Sequence, residues 1–98
     1  MPEMYFHVRW PDGQEENCYS PSLVIGDYLA PGQSYPVAEF VSRCEQALTV
    51  ASERVREKYG FYCSSAMDQL GRIRERARDF ESTPDGSVAV QAFKPGAR

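Results

Sequence analysis

Residues 34–80, SYPVAEFVSRCEQALTVASERVREKYGFYCSSAMDQLGRIRERARDF, decide the fold. At about 100° per residue, Val37, Phe40, Val41, Cys44, Leu48, Ala51, Val55 and Tyr59 fall within a sector ~100° wide, the apolar stripe of one long amphipathic helix. The joint Tyr59-Gly60-Phe61-Tyr62-Cys63 interrupts it, and a second stripe follows through Cys63, Ala66, Met67, Leu70, Ile73, Ala77 and Phe80. Isolated helices of this kind are marginal in water, so each stripe must be buried against something. Ser34-Tyr35-Pro36 with Glu39 close behind reads as the start of the first helix. Arg54, Arg56 and Lys58 before Gly60 read as its end. Ser64 or Ser65 reads as the cap of the second helix, and Asp68 completes a capping-box pattern with Ser65.

Towards the N-terminus, Met4, Phe6, Val8 and Trp10 alternate with Tyr5, His7 and Arg9, the period of a half-buried strand. Pro11-Asp12-Gly13 has the chemistry of a tight turn and predicts a hairpin with residues 14–19. A type I turn with a bulge at Gly13 sets Arg9 against Glu15 and Phe6 against Cys18. A two-residue loop would set Arg9 against Glu16 and His7 against Cys18; we expect the first register. Ser20-Pro21-Ser22 places a capping residue before proline, so residues 23–29 read as a short helix that Pro31-Gly32 ends. Pro84-Asp85-Gly86 repeats the turn chemistry, residues 87–93 read as a third strand, and residues 94–98 as a frayed tail. The expected fold is α+β: a small antiparallel sheet, made of the β-hairpin plus the C-terminal strand, with two long helices and a short one packed on one face, in the order ββαααβ.

At 98 residues the chain supports a single domain, 1–98, with an ordered core over about 3–93. No run approaches the ~18 apolar residues of a membrane span, and the start shows no basic and apolar leader pattern, so a cytoplasmic, soluble protein is expected. A net charge of −3 argues against general nucleic-acid binding, which needs a basic face. Three cysteines without metal-like spacing suit a reducing compartment rather than a disulfide framework.

Cys63 is the candidate nucleophile, because a helix N-terminus favours the thiolate; the plainer reading is a small apolar residue closing the joint. Cys44 lies mid-stripe and Cys18 on a strand, both read as core. His7 is the one histidine. It would need to meet Cys18 or Cys63 to form a dyad, and is otherwise an exposed imidazole. Arg72, Arg74, Arg76 and Arg78 are spaced by two, which splits them between the two flanks of the second stripe. They read as snorkelling side chains, with binding of an anion or acidic partner as the sharper alternative. Trp10 and Tyr62 belong to an aromatic surplus suited to an interface. Val50 should be exposed or covered by a second copy. No phosphate loop, paired catalytic carboxylates or metal-ligand cluster stands out, so no metal and no cofactor is expected.

Val8-Arg-Trp-Pro-Asp-Gly13, Cys18-Tyr-Ser-Pro-Ser22, Tyr35-Pro-Val-Ala-Glu-Phe-Val41, Ala51-Ser-Glu-Arg-Val-Arg56, Lys58-Tyr-Gly-Phe61, Cys63-Ser-Ser-Ala66 and Asp68-Gln-Leu70 together resemble a small bacterial family of nitrogen starvation response proteins. The resemblance covers roughly residues 4–73. It implies a setting among genes for a nitrilase, a radical SAM protein, an acetyltransferase-like protein and a flavoprotein, used in nitrogen limitation and nitrile or cyanide assimilation. No catalytic residues carry over from it. The expectation is therefore a non-catalytic accessory or interaction protein that binds a cluster-encoded enzyme or a pathway intermediate, with no nucleic acid and no membrane as partner. A small thiol-dependent enzyme or carrier using Cys63 and a self-associating structural protein, such as a homodimer, are the alternatives.

Overall fold

The computed structural model describes residues 3–60, 64–82 and 86–95. Strands β1 (Met4–Arg9) and β2 (Glu15–Ser20) form the expected hairpin. Its turn closes through Gly13 N–H donating to Trp10 O at 2.8 Å and Trp10 N–H donating to Gln14 O at 2.8 Å. The Asp12 carboxylate accepts from Gln14 N–H at 3.0 Å, and Gly13 sits at φ 87°, a left-handed position that only glycine occupies without strain. The glycine bulge gives the expected register: Arg9 lies opposite Glu15, Phe6 opposite Cys18 and His7 opposite Asn17.

The sheet has four antiparallel strands rather than three, in the order β2-β1-β4-β3. The addition is β3 (Ser34–Pro36), which pairs with β4 (Ser87–Pro95). Ser34 therefore does not open the long helix. Its segment is drawn into the sheet by Tyr35 facing Val88, and α1 (Val37–Tyr59) begins only after Pro36, with no side-chain cap. Its first donor is satisfied across the fold, Val37 N–H reaching Gly86 O at 3.3 Å. At the other end Gly60, at φ 83°, returns its N–H to Arg56 O at 2.7 Å, the left-handed stop that the sequence marks.

The segment after the hairpin is a five-residue 3-10 helix, Leu23–Asp27, shorter than expected, and its cap is Ser22 rather than Ser20. Ser22 Oγ accepts from Val24 N–H at 3.3 Å, while Ser20 Oγ donates to Ser22 O at 2.7 Å and so braces the turn ahead of the helix. α2 (Ser64–Arg78) already includes Ser65 in its first turn, so Ser65 does not cap it. Phe61, Tyr62 and Cys63 lie outside the described residues. The last strand continues through Lys94, opposite Tyr5, and Pro95, opposite Met4, past the end read at Phe93.

One core unites these elements. Phe6, Val8, Trp10 and Cys18 from the hairpin and Val88 and Val90 from β4 meet Phe40, Cys44, Ala47 and Leu48 of α1 and Ala66, Leu70 and Ile73 of α2. A bulge between His7 and Val8 pairs Val8 with Val90 but His7 with Ala92. The slip restores parity along β4, so that Phe93 packs against the same core as Val88 and Val90 despite the odd spacing. The stripes run slightly off their expected edges: Ala47 and Ser52 are buried, whereas Tyr59 is 51% exposed and Met67 40% exposed. Both lie near the ends of the helices flanking the joint, where the core no longer covers the stripe. No helix among the described residues is long and apolar enough to cross a membrane.

Candidate functional site

The two described cysteines sit in the core as inert groups. Cys18 and Cys44 are both fully buried, and burial pushes each thiol far above the usual range; the nearby Glu16 carboxylate adds to the effect on Cys18. His7 is opposite Asn17, one residue out of step with Cys18, and strand alternation puts the two side chains on opposite faces of the sheet. A His7–Cys18 dyad is thereby excluded. The imidazole instead meets Glu15 Oε1 at 2.7 Å, a diagonal contact on the outer face. Cys63 and Tyr62, named from the sequence, lie outside the described residues.

Trp10 is a core residue, 2% exposed. Its ring stacks on Phe80 at 5.8 Å between centroids and meets Phe40 edge-on at 5.5 Å. Its indole N–H donates to Glu16 Oε1 at 3.1 Å. Arg76 covers this cluster, its guanidinium 4.9 Å from the Phe80 centroid and 5.6 Å from that of Trp10. The same guanidinium pairs with Asp12 in the hairpin turn, with Asp79 at 2.9 Å and with Gln14 Oε1 at 3.2 Å, tying α2 to the turn. Arg76 is thus a packed strut rather than a free cation.

The Arg76 hydrogen bond, helped by Gln14 N–H, holds the Asp12 carboxyl below its usual 3.8. A carboxyl depressed in the folded state contributes stability above its unfolded value and loses it as the pH falls through the lowered one. The stability difference between the native chain and Asp12→Asn should be constant at neutral pH and vanish well below 3.8, in urea titrations run at both conditions. Added salt should shrink it at neutral pH, because the pair is solvent-accessible.

The arginines of α2 divide as their spacing requires. Arg72 and Arg76 flank one side with Glu16, Glu75 and Asp79, around a charged recess of about 370 Å3. Arg74 and Arg78 flank the other, on a groove of about 580 Å3 between the start of α1 and the end of α2. Val37, Val41, Ala77 and Phe80 provide its apolar floor, and Arg74, Arg78 and Glu81 its charged rim. Arg74 is held by Glu45 at 3.1 Å, whereas Arg78 makes no ion pair among the described residues. The groove's apolar residues were legible as one edge of each stripe, but the gap between those edges was not. Val50 is half-buried rather than projecting.

A buried polar side chain that the sequence reading passed over is Gln69, 3% exposed on α2. Its position, three after Ala66 and four before Ile73, places it on the apolar stripe, which was the available signal. Its carbonyl accepts Tyr19 N–H at 3.0 Å, covering an open backbone donor of the edge strand β2, and its amide donates to Glu16 Oε2 at 3.4 Å. No group of three or more metal-ligating side chains is present among the described residues.

A family model described as nitrogen starvation-induced protein NitG matches residues 5–93. No curated protein and no solved structure is similar enough to match.

Proposed function

The chain belongs to the NitG family of nitrogen starvation-induced proteins, and on that premise we propose that it is a non-catalytic accessory protein that docks on a larger enzyme used in nitrogen limitation. The partner classes that the sequence resemblance implies are a nitrilase, a radical SAM protein and an acetyltransferase-like protein. The observation that carries the reading is the groove between α1 and α2, with an apolar floor and a rim where Arg78 lacks an internal counter-ion among the described residues. Its chemistry suits an amphipathic helix of the partner, laying apolar side chains on Val41 and Ala77 and setting a carboxylate against Arg78. The inert thiols of Cys18 and Cys44 and the engagement of His7 with Glu15 favour this reading over thiol chemistry at those residues.

The test is co-expression of tagged protein with each of the three enzymes, followed by affinity measurement on the pair that co-purifies. Val41→Glu should abolish capture, and Arg78→Glu should weaken it about tenfold or more, the scale of a lost charge-assisted contact. Circular dichroism should show both variants folded. The proposal fails if none of the enzymes is captured, or if both folded variants bind as tightly as the native chain. It also fails if the groove proves to join two copies of this chain, seen as a dimer that Val41→Glu splits.

A further inference from the structure

A third recess, a cleft of about 450 Å3, lies at the edge of the sheet beside β2 and is lined by Glu3, Tyr5, Asn17, Tyr19, Gln69 and Arg72 among others, with Arg72 standing between it and the charged recess. It shares no residue with the groove between the helices. From its charges we propose that this cleft binds a small zwitterion of the amino-acid class, with the ligand's ammonium at Glu3 and its carboxylate at Arg72.

Two charges of opposite sign line one cleft without cancelling. Arg74 is paired with Glu45, and Arg76 with Asp12 and Asp79, but Arg72 makes no ion pair among the described residues. Glu3 accepts a hydrogen bond from Tyr19 OH at 3.3 Å and faces no cationic partner among the described residues, Arg72 included. A ligand carrying a single charge would satisfy one of these groups and be repelled by the other. A molecule with both charges satisfies the pair at once, and the Arg72 fork suits a carboxylate.

The walls fit that ligand. Tyr5 and Tyr19 stand edge to face across β1 and β2, 5.7 Å between centroids at 61°, and aromatic faces attract an ammonium group. Gln69, held by Tyr19 N–H and Glu16, gives the cleft a rigid polar floor. Asn17, exposed on β2, adds an amide that can donate or accept. Its volume is in the range of small-molecule pockets, and its lining is mainly polar, with the two tyrosine rings as the aromatic part, which suits a charged ligand rather than an apolar one.

The experiment is an amide-resonance titration of the full 15N-labelled chain with glycine, β-alanine, 4-aminobutyrate and 6-aminohexanoate, whose charges are progressively further apart. At least one member should saturably shift the Tyr5, Asn17, Tyr19 and Gln69 resonances, while propionate and propylamine bind about tenfold or more weakly. Arg72→Gln and Glu3→Gln should each weaken the preferred zwitterion about tenfold. Val41→Glu, in the helix groove, should leave this binding unchanged, so the outcome is read separately from protein docking. The proposal is overturned if no member of the series shifts those resonances, if propionate binds equally well and Glu3→Gln has no effect, or if either charge-neutralised variant, shown folded by its spectrum, binds as the native chain does.

Discussion

Trp10→Ala should lower the unfolding free energy by about 3–5 kcal/mol, the scale for removing a buried large aromatic side chain. Trp10 joins parts of the fold that are far apart in the chain. It sits just ahead of the hairpin turn, stacks on Phe80 beyond α2, and meets Phe40 of α1. Truncation to alanine empties the contact between these elements and strips the half-buried Glu16 carboxylate of its indole donor. It also removes a ring beneath Arg76, leaving the guanidinium over Phe80 alone. Because domains are typically stable by only ~5–15 kcal/mol, that loss is a large fraction of the total, and the variant should unfold at a clearly lower urea concentration than the native chain. Trp10→Phe keeps a ring in the stack and loses the N–H, so it should fall between the two. Urea unfolding followed by circular dichroism measures the series. A loss under about 1 kcal/mol for Trp10→Ala would contradict the burial described.

The second large effect concerns the thiols. In a Cys63→Ser chain the remaining cysteines are Cys18 and Cys44, and alkylation of both by iodoacetamide should be slower in the native protein than in the urea-unfolded chain by about a thousandfold or more. The side chains are fully buried, and their raised pKa values leave almost no thiolate at neutral pH, so reaction has to wait for an opening of the core. Mass spectrometry of peptides after timed quenching gives each rate separately. Rapid native labelling of Cys18 would show that the β2 edge opens without global unfolding, and would return thiol chemistry to consideration there.

The arginine run shows how far a candidate site can be read from spacing. An interval of two on a helix separates Arg72 and Arg76 from Arg74 and Arg78, and the structure has that division. Spacing could not say which guanidinium is engaged. Arg76 is occupied by Asp12 and Gln14, which lie 64 and 62 residues away in sequence, and Arg74 by Glu45 on the neighbouring helix. Among the described residues, Arg72 and Arg78 are the two arginines of this run that make no ion pair. Trp10 changed role for the same reason: an aromatic residue beside a turn reads as interface material until Phe80 and Phe40 are seen to close over it. Gln69 is the converse case, a polar residue on an apolar stripe whose purpose appears only when the β2 edge is laid beside it.

By itself the sequence determined the elements whose cause is local. The two helical stripes, the stop at Gly60 and the hairpin follow from side-chain periodicity and from backbone angles that particular residues favour, while the structure chose between the two hairpin registers that the turn allowed. The α+β class follows as well, since amphipathic helices and a hairpin can each bury their apolar side only against the other. Tertiary structure alone decided the fourth strand, the parity slip beside Val90, the groove between the helices and the cleft at the β2 edge. Ser34–Pro36 carries no strong strand pattern and is ordered by the backbone of β4, while each recess is bounded by side chains from separate elements. Their geometry depends on how the packed layers meet, which a pattern of period 2 or 3.6 does not encode.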